Sequence, residues 1–262
     1  MANLKSTNLA ELGLVSRQLV VSGKHRIFVS SDFSQIEARI ATHFSQDKFL
    51  INAFKTDKDI FSMLSTDLFR TENITPKIRE NAKQIFYGVL YGQGINSLAK
   101  ELKISKSDCK SIESHFHNQF LSLKRLVQQC YKQSAENGFI KSFLGRKRFF
   151  DTKNGENLEN GEKMSLKRKA VNSLCQSSAA DLLKMALVKI EKERKKVFEN
   201  SAKLVLLVHD EIVYSVDEQI VELFAKMMKN KMENCAILKN VPLKVTIKTG
   251  KNWGQMEKLF KN

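Results

Sequence analysis

Apolar residues follow helical spacing over most of the chain. They recur three and four positions apart, as on one face of an α-helix, in several long segments. Pro76 suits the first turn of one predicted helix, with Thr75 as its N-terminal cap. A polar loop over 149–165, with Asn-Gly turns at 154–155 and 160–161, precedes another. The predicted helices cover residues 57–70, 76–91, 96–137, 166–197 and 218–235.

Strand-like patterns lie near the two ends of the chain. The run 25–34 and the alternating run 241–250 each predict one strand. Two apolar runs within 203–216 predict a hairpin. A small sheet whose strands come from both ends of the sequence, interrupted by a long helical insertion, indicates an α+β fold.

The turn of the predicted hairpin holds two adjacent acids. His209, Asp210 and Glu211 stand between the apolar runs LVLLV and IVYSV. Ionised carboxylates in an apolar setting are costly unless a cation offsets them. Asp32 ends the strand predicted for 25–34, so it is either a second member of a divalent-cation site or a cap of the helical stretch IEARIATHFS. Spacing alone leaves both interpretations open.

A second candidate site lies on the helix predicted for 76–91. Arg79, Lys83 and Tyr87 are four positions apart and therefore lie along one face. Two cations followed by an aromatic ring suit phosphates at one end and a stacked base or sugar at the other. A solvated basic stripe with Tyr87 in the core is the alternative. Gly88 would let another group approach the helix closely.

The helix predicted for 166–197 repeats this spacing with different chemistry. Arg168, Asn172 and Gln176 again lie four apart, on one polar face. Amide and guanidinium groups hydrogen-bond well to the edges and sugars of nucleic acids. An ordinary exposed polar face would carry the same pattern, so both interpretations stand.

Composition favours a polyanionic partner. Forty-four lysines and arginines stand against 28 acids, a formal charge of +16, although a lysine-rich helical surface would give the same balance. The four cysteines show no metal-binding spacing, which argues against zinc and a disulfide framework and favours a reducing compartment. No signal peptide or membrane span is recognisable, so we expect a soluble intracellular protein.

These stretches together resemble the catalytic half of DNA polymerase family A, the class that includes bacterial polymerase I. DFSQIEAR at 32–39 is similar to motif A, RENAKQIFYGVLYG at 79–92 to motif B, and HDE at 209–211 to motif C. RKAVNSLCQSSAAD at 168–181 is similar to the family pattern RxxxNxxxQGxAAD, with Ser177 where glycine is usual. The resemblance also includes FLGRKRFF (143–150) and GKNWG (250–254), and it extends from about Ser16 onward.

Within the family the sequence looks most like the eukaryotic repair branch, polymerases theta and nu. AKQIFYGVLYGQGINSLAKEL and SAADLLK read like theta, and Phe61 stands where many bacterial members carry histidine. This likeness implies a role in DNA repair or replication and a nuclear location.

The resemblance implies a role for each matching residue. Asp32, Asp210 and the Phe33 carbonyl would bind two Mg²⁺ ions, with Glu211 as an accessory acid. Arg79 and Lys83 would hold the triphosphate of the incoming dNTP, and Lys83 would protonate pyrophosphate. The other dNTP contacts implied are Tyr87 (stacking), Gln35, and Glu37 with Tyr91 (exclusion of a 2′-hydroxyl). The DNA contacts implied are Arg146, Arg168, Asn172, Gln176 and His209.

The expected architecture is a right-hand polymerase palm with a helical fingers insertion and no thumb. The predicted boundaries are palm 1–47, fingers 48–185 and palm 186–262. The expected partners are template–primer DNA and deoxynucleoside triphosphates, with the chain a monomer or part of a longer polypeptide. The predicted activity is that of a DNA-directed nucleotidyltransferase. The alternative is a weak or inactive DNA-binding fragment, and the Glu37 gate argues against an RNA polymerase.

Overall fold

A computed structural model describes residues 16–56, 58–151 and 160–260. The chain forms two compact units. We call the first the sheet unit: the described residues up to Gln35, Leu182–Ile237, and those from Leu243 onward. The second, the helical unit, comprises the described residues of Ile36–Asp181 together with Leu238–Pro242. Their assignment as palm and fingers remains a prediction.

The helices and strands form a mixed α+β fold, in agreement with the prediction. In chain order they are β1 (Arg26–Phe33), α1 (Ile36–Ser45), α2 (Lys48–Lys55), α3 (Ile60–Phe69), α4 (Pro76–Leu90), α5 (Ile95–Leu102), α6 (Lys106–Gln119), α7 (Leu121–Asn137), β2 (Phe139–Lys141), β3 (Lys147–Phe149), α8 (Asn160–Val197), β4 (Ala202–Val208), β5 (Glu211–Asp217), α9 (Val221–Glu233), β6 (Val245–Gly250) and β7 (Glu257–Lys258). A 3₁₀ turn at Glu218–Ile220 precedes α9.

The sheet unit is built on an antiparallel sheet. Within the described residues it has five strands in the order β4-β5-β1-β6-β7, so β1 lies in the middle. One side of α9 is apolar, and Phe224 and Met228 from that side are fully buried as the helix packs on β1 and β6. The predicted hairpin at 203–216 is confirmed. The predicted strand at 241–250 starts late, at Val245, because Pro242 has no amide to donate to a sheet.

The helical unit owes its element boundaries to local caps. The Thr75 hydroxyl accepts a hydrogen bond from the Ile78 amide, as predicted for the start of α4. Residues 96–137 were expected to form one helical stretch but are divided between α5, α6 and α7. Lys103 adopts a left-handed conformation (φ 58°) that ends α5, and Ser105 caps α6. Periodicity does not register such a break, because each new helix resumes the same spacing.

Of the two Asn-Gly turns expected before the helix predicted for 166–197, one is wrong and the other lies outside the described residues. The Asn-Gly turn expected at 160–161 is wrong, because α8 already begins at Asn160. The turn expected at 154–155 lies outside the described residues. Upstream, the three-residue strands β2 and β3 form a hairpin that periodicity cannot reveal at such a length.

A short segment near the C-terminus, Leu238–Pro242, belongs to the helical unit and is tied to α1. The Arg39 guanidinium donates to the Pro242 carbonyl at 2.5 Å, and the Lys239 amide donates to His43 Nδ1 at 2.8 Å. Gln46 completes the attachment by donating to the Lys239 carbonyl. Among the described residues no helix is both long and apolar enough to span a membrane.

Candidate active site

The acids predicted from the two ends of the sequence meet in the sheet unit. β1 and β5 pair so that Asp32 lies directly opposite Glu211. His209 and Asp210 form the turn between β4 and β5, and His209 adopts a left-handed conformation (φ 54°). Glu211 is therefore the first residue of β5 rather than part of the turn. Strand register alone brings Asp32 and the acidic turn to the same end of the sheet.

Asp32 is a sheet residue and does not cap α1. It pairs with Glu211 on one side and with Thr246 on the other, inside the continuous ladder of β1. Burial, the charges of Asp210 and Glu211, and a hydrogen bond with Asp210 together raise its pKa to about 6, although Lys248 opposes the shift. The site therefore carries excess negative charge that a cation would stabilise.

The chemistry of these acids fits a divalent cation that takes part of its coordination from elsewhere. The Asp32 Oδ1 atom is buried and has no hydrogen-bond partner. Within the described ranges, no group of three or more His, Cys, Asp or Glu side chains is arranged to hold a metal ion by itself. Mg²⁺ in nucleotide-transfer sites is typically bound by one or two carboxylates together with waters and substrate phosphates. Two carboxylates and an unsatisfied oxygen match that requirement.

A cavity of about 370 Å³ opens beside the acids. Besides Asp32, Asp210 and Glu211, its lining includes three groups that periodicity did not single out: Arg17, Lys248 and Trp253. The Trp253 indole N–H donates to Glu211 Oε2 at 3.3 Å, and the Arg17 guanidinium lies 4.6 Å from the Trp253 ring centre. Glu211 thus has a protein partner for its carboxylate, whereas one oxygen of Asp32 has none.

In the helical unit, part of the predicted stripe lies along an open groove of about 260 Å³. Lys83 and Tyr87 line it together with Tyr91, Gln93 and Glu101, whereas the predicted third member of the stripe, Arg79, is not among the lining residues. The rings of Tyr87 and Tyr91 stack at 6.0 Å with an 18° angle between planes. Gly88 faces Gln93 and Leu98, so the group that approaches this glycine belongs to the chain itself. Lys83 is half-exposed, with Glu80 3.8 Å away.

Glu37 and Tyr91, predicted as a pair, are in contact. The Tyr91 hydroxyl donates to Glu37 Oε2 at 2.5 Å. Burial, followed by the neighbouring Cys175 and Glu37, raises the pKa of Tyr91 far above its usual range. A raised pKa keeps the Tyr91 hydroxyl protonated, and its hydrogen bond holds the Glu37 carboxylate in position.

Arg79 is paired within the protein, which the sequence did not indicate. Its Nε lies 2.6 Å from Asp59 Oδ2 and its Nη2 lies 2.9 Å from Asp59 Oδ1, a two-pronged contact. The guanidinium also lies 5.6 Å from the Phe61 ring centre. Asp59 lay inside the helix predicted for 57–70 and had no predicted role, because spacing along one helix carries no signal for a partner on another.

The predicted DNA contacts lie at different depths. Arg168 and Gln176 are exposed on α8 and Asn172 between them is half-buried, so this face is accessible. Arg146 is half-exposed and held on α8 through Asp181 Oδ1 at 3.0 Å and the Ser177 carbonyl at 3.1 Å. His209, the remaining predicted DNA contact, is exposed at its turn.

Two residues predicted for other roles lie around the end of β1. Phe33, predicted to bind metal through its carbonyl, is the last residue of β1. Gln35, predicted to contact dNTP, is half-buried in a left-handed conformation (φ 55°).

Comparisons with known proteins find relatives over most of the chain. Over 244 residues the chain is 34% identical to DNA polymerase theta of Drosophila melanogaster, covering 89% of this chain and 12% of that protein. Over 232 residues it is 36% identical to DNA polymerase I of Borreliella burgdorferi, covering 88% of this chain and 25% of that protein. The chain thus spans a minor part of the length of each of these relatives.

A solved structure extends the similarity to the backbone. The POL domain of Pol1 from M. smegmatis, in complex with DNA primer-template and dNTP, matches with a TM-score of 0.86 and 29% identity, over 96% of this chain and 44% of that chain. The sequence profile of DNA polymerase family A matches residues 2–255. On this evidence, the chain belongs to DNA polymerase family A.

Proposed function

We propose that this chain carries the catalytic centre of a template-directed DNA polymerase, which joins a deoxynucleotide to a primer 3′-hydroxyl. The observation that supports this most directly is the meeting of Asp32, Asp210 and Glu211 beside a cavity, with one Asp32 oxygen buried and unsatisfied. The structural neighbour binds DNA primer-template and dNTP. The same substrates are proposed here.

The acids of the sheet unit are proposed to act through a bound metal. Asp32, Asp210 and the Phe33 carbonyl would hold two Mg²⁺ ions, which would supply activation of the 3′-hydroxyl and neutralisation of charge on the leaving pyrophosphate. Asp32 supplies the oxygen that lacks a partner, and Asp210 supplies a half-buried carboxylate from the turn between β4 and β5. Glu211, already bonded to Trp253, is assigned an accessory role.

The face of α4 is proposed to bind the nucleotide. Arg79 and Lys83 bind the triphosphate, Lys83 gives a proton to pyrophosphate, and Tyr87 stacks on the base. Glu37, fixed by Tyr91, occupies the space that a 2′-hydroxyl would need, which favours deoxynucleotides. Gln35 is assigned to the same substrate.

Template and primer are proposed to lie along the exposed cations and amides. The formal charge of +16 favours a polyanion, and Arg168, Asn172 and Gln176 provide donors on one accessible face. His209 and Arg146 are assigned to the same partner. The Asp181 contact leaves the Arg146 side chain half-exposed and so compatible with a phosphate contact.

We also propose that the protein belongs to the theta and nu branch, acts in DNA repair and works in the nucleus. The segments AKQIFYGVLYGQGINSLAKEL and SAADLLK and the presence of Phe61 support this assignment. Identities of 34% to a polymerase theta and 36% to a bacterial polymerase I do not separate the branches. Discrimination between repair substrates, such as annealed single-stranded ends and nicked duplexes, is the relevant measurement.

Primer extension tests the proposed function. Wild-type protein with template–primer, dNTPs and Mg²⁺ is expected to extend the primer, whereas Asp32→Ala and Asp210→Ala abolish extension and retain DNA binding in a gel-shift assay. Extension that survives both substitutions would disprove the metal assignment. DNA binding without extension by the wild type would instead identify a non-catalytic DNA-binding chain.

A further inference from the structure

The pairing of Arg79 with Asp59 indicates a residue that positions the phosphate-binding side chain. Asp59 holds the Nε and Nη2 edge of the guanidinium at 2.6 and 2.9 Å. Within the described residues Nη1 forms no hydrogen bond, and the Arg79 side chain is 40% exposed. The contact therefore occupies one edge of the guanidinium and leaves the other available.

Asp59 is itself held in place from a different direction. It is the N-terminal cap of α3, and its Oδ2 accepts from the Ser62 amide at 3.0 Å and from the Ser62 hydroxyl. Capping fixes the carboxylate to the first turn of a helix that does not contain Arg79. The guanidinium is thus attached to a rigid point rather than to another mobile side chain.

Phe61 connects this pair to the nucleotide-stacking face. The centre of its ring lies 5.6 Å from the Arg79 guanidinium and 5.8 Å from the centre of the Tyr87 ring. Its side chain is 1% exposed, so it cannot move aside without opening the core. Asp59 and Phe61 together fix the orientation of the Arg79 guanidinium and its position relative to the Tyr87 ring.

We propose that Asp59 is a positioning residue for nucleotide binding, which orients Arg79 so that its free edge meets the triphosphate; this rests on the proposed function of α4. A long arginine side chain loses considerable rotamer freedom when it is fixed, and prior fixation removes that cost from binding. The opposing effect, repulsion between Asp59 and the phosphates, is screened by solvent because both members of the pair are partly exposed. We expect the entropy saved by fixing Arg79 beforehand to outweigh this repulsion.

Asp59→Asn separates positioning from folding. Asparagine caps helices as well as aspartate does, so the start of α3 is retained. The charge-assisted hydrogen bonds to Arg79 are lost. We expect the KM for dNTP to rise about tenfold with kcat within about twofold, the pattern of lost ground-state binding. In an Arg79→Ala background the same substitution has no further effect, because Asp59 acts through Arg79. Asp59→Glu partly restores the KM.

Asp67→Asn is the matched control. Asp67 lies on the same helix, is similarly exposed and pairs with His115 at 3.2 Å, away from Arg79. Its substitution leaves the KM unchanged. The proposal would be overturned if Asp67→Asn raised the KM for dNTP to a similar extent, or if Asp59→Asn lowered it. It would also be overturned if Asp59→Asn changed the KM equally with and without the Arg79 side chain.

Binding of inorganic tripolyphosphate, followed by calorimetry, distinguishes this inference from the proposed function. Wild type is expected to bind it about tenfold more tightly than Asp59→Asn, and the difference disappears in the Arg79→Ala background. That result without primer extension retains the positioning role and rejects the polymerase activity. Primer extension by the wild type, with no energetic coupling between Asp59 and Arg79, retains the polymerase activity and rejects the positioning role. No measurable tripolyphosphate binding by the wild type, together with an unchanged KM in Asp59→Asn, rejects the positioning role.

Discussion

The two units assemble their candidate sites by different means. In the sheet unit, backbone hydrogen bonds set the register that places Asp32 opposite Glu211. In the helical unit, side chains hold one another: Asp59 holds Arg79, and Tyr91 holds Glu37. A backbone ladder fixes position through many cooperative bonds, whereas a side-chain contact depends on one or two. Single substitutions should therefore redirect the helical site more easily than they displace the acids.

The largest expected effect tests whether the acids of the sheet unit are equivalent. Asp210→Asn keeps the shape of the turn and removes a proposed metal ligand, so kcat/KM for dNTP incorporation should fall about a thousandfold. Glu211→Gln should fall only about tenfold, since Trp253 can still donate to the amide oxygen. Single-turnover incorporation measures both. Equal losses would contradict the accessory role proposed for Glu211 and assign the two acids equal weight.

The next effect tests how rigid the backbone of the sheet unit is, at Gly250, the last residue of β6. A Cβ added at Gly250 would lie 2.8 Å from the Gln255 carbonyl oxygen, which is backbone and cannot rotate away. Gly250→Ala should lower the free energy of unfolding by about 2 kcal/mol. Gly88→Ala is the counterpart in the helical unit, where the near atom is the end of the Gln93 side chain at 2.9 Å.

Because Gln93 can move and alanine favours a helix, Gly88→Ala should change stability by less than about 1 kcal/mol. Urea unfolding of the two variants measures the difference. A larger loss at Gly88 than at Gly250 would contradict the contrast between backbone and side-chain support.

A smaller effect concerns the sugar gate of the helical unit. Tyr91→Phe removes the hydroxyl that donates to Glu37 at 2.5 Å and leaves the ring stacked on Tyr87. Loss of a hydrogen bond to a charged group should lower the preference for dATP over ATP about tenfold. The ratio of kcat/KM for the two nucleotides measures this preference. An unchanged ratio would mean that the Glu37 position does not depend on Tyr91.

The smallest effect is a pH dependence in the sheet unit. Burial opposes the shift, but hydrogen bonds from Arg194 and Tyr214 and the Arg194 charge lower the pKa of Glu191 below its ordinary value of 4.5. Because this pKa is lower in the folded state than in the unfolded state, the ionised Glu191 carboxylate contributes stability that is fully present above pH 4.5. The contribution is lost as the pH falls through the folded-state pKa. Glu191→Gln should be about 1 kcal/mol less stable at pH 7.

Urea unfolding at pH 7 and at about pH 3.5 tests this dependence. The difference between Glu191→Gln and the wild type should shrink at the lower pH. A constant difference would assign the effect to packing of Glu191 against Tyr214 rather than to its charge.

Sequence patterns predicted the sheet better than they predicted the helical contacts. The hairpin around His209 was recognisable because two continuous apolar runs flank a polar turn. The division of 96–137 was missed because a left-handed residue, Lys103, interrupts the backbone without disturbing the apolar spacing. Spacing also left open whether Asp32 caps a helix, and only the strand ladder answers that.

The contacts that position Arg79, Glu211 and Glu37 could not be read from single motifs. Asp59 lies 20 residues before Arg79, and Trp253 lies 42 residues after Glu211. A resemblance named Glu37 and Tyr91 together, but spacing along one helix cannot pair residues on separate helices. Side-chain partners distant in sequence depend on tertiary packing, which one sequence without aligned relatives does not encode in a readable form.

The five residues Leu238–Pro242, held on α1 by Arg39 and His43, have a consequence for inheritance. The chain passes between the units at 35/36, 181/182, 237/238 and 242/243. Neither unit is therefore encoded by one continuous stretch. If recombination exchanges the part encoding 36–181 between two related genes, α1 comes from one parent. The segment Leu238–Pro242 that it contacts then comes from the other. We expect the two pieces to be inherited together, or α1 and the segment to change in concert.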